Sequence, residues 1–225
     1  NEEFDVIKFI ELYKKAKEYA IKNKKNLIIV GGTGFYLKAL IDGLSKGIDS
    51  KIKLDISQLE AYELLYSIDK EYMQRIEKND RYRIEKAYAI YKQTGLSPTS
   101  YFEKYPKIAV AKALKIFEIL WDKEELKNRI SQRTKIMINS GLIDEVIFLE
   151  KKDTRAPNCM ASIGIIETLE YLDGKLSKQE LEEKISANTA KLAKRQNTFN
   201  KSQFLDKTSN IIENLNSDII KYFSL

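Results

Sequence analysis

The feature that most constrains this chain is a short apolar run that ends on glycines, Leu27-Ile28-Ile29-Val30 followed by Gly31-Gly32-Thr33-Gly34. Consecutive branched residues with no polar alternation suit a strand covered on both faces, as in a parallel sheet flanked by helices. Before it, Phe4, Ile7, Ile10, Leu12, Ala16 and Tyr19 recur at helical spacing among Lys and Glu, which predicts an amphipathic helix over Phe4–Tyr19. After it, the glycines turn the chain into a helix predicted from Phe35 to Leu44. Helix, buried strand, glycine turn and helix is the rhythm of a parallel α/β sheet, where ligands gather beyond the carboxyl ends of strands. Thr33 stands at that edge. The turn can offer N–H groups and a hydroxyl to an anion, or it can simply pack a helix closely on a sheet with Thr33 as the cap.

A second strand is predicted within Leu114–Trp121, and little else reads as β. Parallel sheets carry about five strands, so a chain that supplies two or three contributes an incomplete one. The fold class expected is α/β: an incomplete parallel-sheet core, predominantly helical as it stands, with an inserted helical domain. The core takes residues 1–47 and 104–225, and the insertion takes residues 48–103, where helices are predicted over 54–67, 70–76 and 82–94. Gly95 closes the last of these, and Ser97-Pro98 reads as a stop. Further helices are predicted over 123–139, 142–151, 163–172, 177–200 and 211–223, with Ser177 and Glu180 forming a capping box.

Composition narrows the chemistry. The chain has no His and one Cys, Cys159, which leaves no disulfide, no N/S metal cluster and no Ser-His or Cys-His nucleophile pair. Cys159 itself reads as an ordinary, partly buried thiol. Acid–base work falls to carboxylates, Lys or Tyr, and oxygen-ligated Mg²⁺ stays open. Net charge +6 and a pI near 9.0 are compatible with a polyanionic partner or with Lys-rich solvated faces. No apolar run reaches the ~18–20 residues that span a bilayer, and Asn1-Glu2-Glu3 is unlike a secretory leader, so a cytoplasmic protein with no membrane partner is expected.

Three basic constellations stand out. Asp80 caps a predicted helix that carries Arg83 and Lys86 three apart, able to grip phosphates or to pair with Glu85 or Glu77. Arg129 and Arg133, four apart, make a two-guanidinium fork able to hold a diphosphate, or to bind Glu125 or an aspartate across the core. Lys191 to Phe199 mixes Lys, Arg, Gln and an aromatic, side chains that contact phosphates and unpaired bases or merely solvate a face.

In order, VGGTGFYLKALIDGL (Val30–Leu44), ND-x-x-R with TG-x-S (Asn79–Ser97), L-x-x-RI-x-x-R-x-x-x-M-x-x-x-GLIDEV (Leu126–Val146), ASIG and YLDG (Ala161–Gly174) and T-x-x-LAKRQ-x-TF (Thr189–Phe199) resemble the tRNA dimethylallyltransferase family. The resemblance implies a P-loop-like, nucleotide-binding core and a helical insertion that clasps the tRNA anticodon stem-loop. It further implies dimethylallyl diphosphate as donor, Mg²⁺ as cofactor, and the N6 amine of the adenine 3′ of the anticodon as acceptor, in tRNAs reading codons that begin with U.

Carried onto this sequence, the resemblance makes Thr33 the contact to the target nucleotide, beside Gly31 and Gly32, and makes Arg133 the side chain that steadies the leaving diphosphate, with Arg129 next to it. Arg83, Lys86 and Lys53, the last in place of an arginine, would touch tRNA, as would Ile163-Gly164 and Lys194-Arg195-Gln196. The family has an aromatic and a basic residue after that Ile-Gly pair, where Ile165 and Ile166 stand here, and Phe199 replaces a commoner Trp. Family members also carry a glycine-rich phosphate loop ending in Lys-Ser/Thr and a segment with a general-base aspartate, and neither occurs in this sequence. The fragment alone is therefore expected to be inactive. A monomer is expected, and the competing reading is a non-catalytic RNA-binding helical module.

Overall fold

The computed structural model describes residues 4–45, 47–48, 53–112 and 114–224. In chain order come α1 (Val6–Lys22), α2 (Gly34–Asp42), α3 (Gln58–Ile68), α4 (Lys70–Met73), α5 (Arg81–Thr94), α6 (Pro98–Lys104) and β1 (Phe117–Ile119). They are followed by α7 (Lys123–Asn139), α8 (Leu142–Asp153), a 3₁₀ turn at Asn158–Ala161, α9 (Ile165–Leu172), α10 (Lys178–Gln203), β2 (Thr208–Asn210) and α11 (Ile212–Phe223). The chain divides into two compact units, Asn1–Tyr36 with Lys115–Leu225, and Leu37–Leu114. No helix among the described residues is long and apolar enough to cross a membrane.

In the first unit, β1 pairs in parallel with β2, Phe117 opposite Thr208 and Ile119 opposite Asn210. The strand expected at Leu27–Val30 is not formed. That segment takes no regular secondary structure and joins no ladder among the described residues, with Ile28 58% and Val30 90% exposed. Its composition asks for neighbouring strands, and the two short strands that exist lie elsewhere in the chain. β2 leaves no signal in the sequence, since Thr-Ser-Asn carries no apolar or β-branched run. The helical core of this unit packs α7 against α10 through Ile138, Leu181 and Ile185, and α8 against α9 through Val146, Met160 and Leu169.

The second unit closes over Ala61, Tyr62, Leu65, Met73, Ile76, Ile84, Ala87 and Tyr88. Two of its helices begin where the chain supplies caps. Ser57 and Glu60 form a capping box, which starts α3 at Gln58 and not at Leu54. Ser97 caps α6 with Pro98 as its first residue, so Ser97-Pro98 is a helix start and not the stop expected. Buried Asp69 joins the two ends: its carboxylate accepts the Tyr72 N–H at 3.1 Å, the Thr99 N–H at 2.7 Å and the Thr99 hydroxyl at 3.0 Å. Burial pushes that carboxyl up, but the Thr99, Tyr72 and Ser97 donors outweigh it and hold it below the usual carboxylate range.

Candidate functional site

One face of α7 carries Leu126, Arg129, Ile130, Arg133 and Met137, spaced by three and four and therefore aligned along the helix. Ile185, Thr189 and Leu192 recur in the same way on α10, which packs alongside. With Trp121 and Ile163, these residues line a cavity of about 580 Å³. Ile163 is fixed from below: buried Glu167 accepts the Gly164 N–H at 2.6 Å and the Asn188 amide at 2.7 Å. Gly164 sits at φ +96°, a conformation that would strain any side chain, which explains a glycine next to a cavity-lining residue.

The cavity's charge is unbalanced. Arg129 and Arg133 both face it, and among the described residues neither makes an ion pair or hydrogen bond to a carboxylate. Glu125 does not pair with Arg129, whose guanidinium instead lies 4.2 Å from the centroid of the Trp121 ring. Two cations, an apolar wall and no acidic lining describe a site for an anion with an apolar tail.

The glycine turn is built against the far part of α10. A Cβ on Gly32 would fall 2.7 Å from Gln196 Nε2, and one on Gly34 would fall 2.7 Å from Phe199 Cδ1 and 2.9 Å from Asn200 Oδ1. Gly31 is open, and Thr33 is exposed, its hydroxyl making no hydrogen bond among the described residues. Asn200 is itself anchored: its amide donates to Glu118 Oε1 at 3.2 Å, while Glu118 Oε2 accepts Ser209 Oγ at 3.0 Å and lies 3.0 Å from Lys207 Nζ. Burial would raise the Glu118 carboxyl, yet the donors from Lys207, Ser209 and Asn200 together keep it below its ordinary value. This network ties β1, β2 and α10 into one support for the turn. No short motif announces it, since Glu118 lies more than eighty residues from Asn200, Lys207 and Ser209.

The remaining positions are scattered. Lys194 and Arg195 are exposed on α10 with no carboxylate partner among the described residues, while Gln196 is half-buried at the turn. Ile166, where the resemblance implies a basic residue, is 41% exposed. Cys159, expected to be partly buried, is exposed in the 3₁₀ turn, which turns Met160 inward in its place. In the second unit, Lys53 is exposed, Arg83 pairs with its own cap Asp80 at 2.9 Å, and Lys86 lies 5.6 Å from the ring centroid of exposed Tyr82. Glu85 is taken by Arg81 at 2.8 Å. Of the other lining residues only Leu126 carries a signal in the sequence, three residues before Arg129 on the same helix; Trp121 precedes α7, and Thr189 and Leu192 reach the cavity from α10, which only the packing of the two helices reveals.

A magnesium ion at this cavity would have to be held mainly by the oxygens of a bound substrate. No cluster of three acidic or thiol groups able to hold a metal occurs among the described residues, and the cavity lining contains no carboxylate.

The family model for IPP transferase matches residues 1–203. The chain is 79% identical over 225 residues to the tRNA dimethylallyltransferase of Aliarcobacter butzleri (strain RM4018), covering 100% of this chain and 77% of that relative. It is 48% identical over 229 residues to the tRNA dimethylallyltransferase of Sulfurovum sp. (strain NBC37-1), covering 98% of this chain and 75% of the relative. Among solved structures, it is similar to the tRNA isopentenylpyrophosphate transferase of Bacillus halodurans, with TM-score 0.66, 25% identity, and coverage of 99% of this chain and 74% of that one.

Proposed function

The chain belongs to the IPP transferase family, and from that premise we propose that it serves tRNA modification by transferring a dimethylallyl group from dimethylallyl diphosphate to N6 of the adenine 3′ of the anticodon. The observation that carries this reading is the pair of guanidiniums, Arg129 and Arg133, that face an apolar cavity with no acidic partner among the described residues. In the reaction the N6–C bond forms as the allylic C–O bond breaks, a proton leaves N6 for a base, and the electron pair departs on the diphosphate. Negative charge grows on oxygens that Arg133 and Arg129 are placed to receive, where Trp121, Leu126 and Leu192 limit water.

The acceptor base must leave the loop stack to reach the donor. Thr33 meets it at the turn, Gln196 and Phe199 lie against that turn, and Lys194 and Arg195 receive the backbone. Gly31 lets the base approach the backbone closely and Gly32 makes room for Gln196, while Ile163-Gly164, expected to touch tRNA, flank the donor instead, since Ile163 lines the cavity. Arg83, Lys86 and Lys53 serve the anticodon stem from the insertion. A magnesium ion bound with the diphosphate would supply further neutralisation of its charge, and no step above uses it. The same reading makes the protein a cytoplasmic monomer.

The decisive experiment is deletion of the gene followed by mass spectrometry of the tRNAs that read codons beginning with U. Loss of the N6-dimethylallyl group supports the reading, and its full persistence refutes it. We further propose that the 225 residues, which contain no G-x-x-x-x-G-K-[ST] loop, bind tRNA and diphosphate without turnover. Multiple turnovers by the purified polypeptide on unmodified tRNA would overturn that second statement alone.

A further inference from the structure

Arg129 and Arg133 lie four residues apart on one helix face, where like charges repel and long side chains are free to swing into solvent. Something must hold Arg129 toward the cavity. Glu125, four residues earlier, is within helical reach and does not do so. The contact present is the indole of Trp121, with the guanidinium carbon 4.2 Å from the ring centroid, well within the ~6 Å range of a cation–π interaction. Trp121 is the sole tryptophan, half-buried, and stands one residue before the α7 cap Asp122, whose carboxylate accepts the Glu124 and Glu125 N–H groups at 2.9 and 3.1 Å.

We propose that Trp121 is a positioning residue that holds Arg129 over the cavity so that both guanidiniums meet the diphosphate together. The inference rests on the reading of this cavity as the diphosphate site. A competing structural role exists: Trp121 and Leu126 occupy the positions before the cap and four into the helix, where an apolar pair staples a helix start. Any large apolar residue satisfies a staple, whereas the Arg129 contact needs an aromatic face. That difference makes the two roles separable.

The test measures the affinity of the chain for inorganic pyrophosphate by calorimetry, with the emission of Trp121 as a second readout in the unsubstituted protein. Trp121→Leu keeps apolar bulk and removes the ring face, and it weakens pyrophosphate binding about two- to fivefold with the melting temperature unchanged. Trp121→Phe restores most of the affinity. In an Arg129→Gln background, Trp121→Leu has no further effect, because the indole acts only through Arg129. Equal losses in both backgrounds, or wild-type affinity in Trp121→Leu, overturn the proposal while leaving the diphosphate site in place. Unchanged binding in Arg129→Gln and Arg133→Gln alike removes that site, and the proposal with it.

Discussion

Gly34→Ala tests the packing of the glycine turn on α10. The added methyl would sit 2.7 Å and 2.9 Å from two carbons of the Phe199 ring and 2.9 Å from Asn200 Oδ1, several tenths of an ångström inside ordinary contact. Neither neighbour gives way easily. Phe199 abuts buried Phe204 edge-to-face, with ring centroids 6.1 Å apart, and Asn200 is bonded to Glu118. Overpacking of this kind costs about 1–3 kcal/mol, and the gain of alanine over glycine at a first helical position recovers a few tenths at most. A net loss of about 1–2 kcal/mol lowers Tm by about 2–8 °C for a chain of this size. Gly32→Ala is the control. Its methyl meets only the terminal amide of Gln196, which rotates away, so stability stays within about 0.5 kcal/mol. Calorimetric melts of both variants and of Gly34→Ala/Phe199→Leu decide the matter. The double variant should recover part of the loss. If Gly34→Ala melts at the wild-type temperature, or Gly32→Ala falls as far as Gly34→Ala, the turn is not seated on α10 as argued.

Glu118→Gln leaves the Lys207 ammonium, only 12% exposed, without its counter-charge, and is expected to cost about 3 kcal/mol in denaturant unfolding. Because the folded Glu118 carboxyl lies below its ordinary 4.5, its stabilisation is fully present above that pH and is lost as the pH falls through the folded value. Acid melts of the wild type should therefore fall away below pH 4.5 more steeply than those of the Gln variant. Arg133→Gln is expected to weaken pyrophosphate binding about tenfold or more with Tm unchanged, since the side chain is exposed and unpaired among the described residues. Arg83→Gln should reduce the slope of log affinity for tRNA against log salt by about one, and an unchanged slope would remove Arg83 from the RNA-binding set.

Local rules read well where the signal was itself local. The Asp80 cap, the left-handed Gly95 that closes α5 and the Ser177–Glu180 box are all present, and α7 spans Lys123–Asn139 as its periodicity predicts. Reading failed where an element depends on distant partners. Leu27–Val30 has the composition of a central strand but no ladder among the described residues, whereas Thr208–Asn210 has no strand composition and is one because Phe117–Ile119 lies beside it. The Glu118–Lys207–Asn200 network belongs to the same class: a polar cluster assembled by topology leaves no spacing to detect.

The arginines were more legible than motif reading made them. Arg75 has Glu71 four residues before it, Arg81 has Glu85 four after it, and Arg83 has Asp80 three before it, and each forms that pair. Arg133 and Arg195 have no acid three or four residues away in either direction, and neither has a carboxylate partner among the described residues. A surface arginine takes the nearest helical carboxylate because that pair needs the least side-chain ordering. One denied that option by its own sequence is left for an anion from outside. Arg129 is the exception, because Glu125 stands four residues before it and remains unused. The contact with Trp121 in place of Glu125 leaves this guanidinium beside the cavity without a counter-charge, the state that the proposed diphosphate site requires.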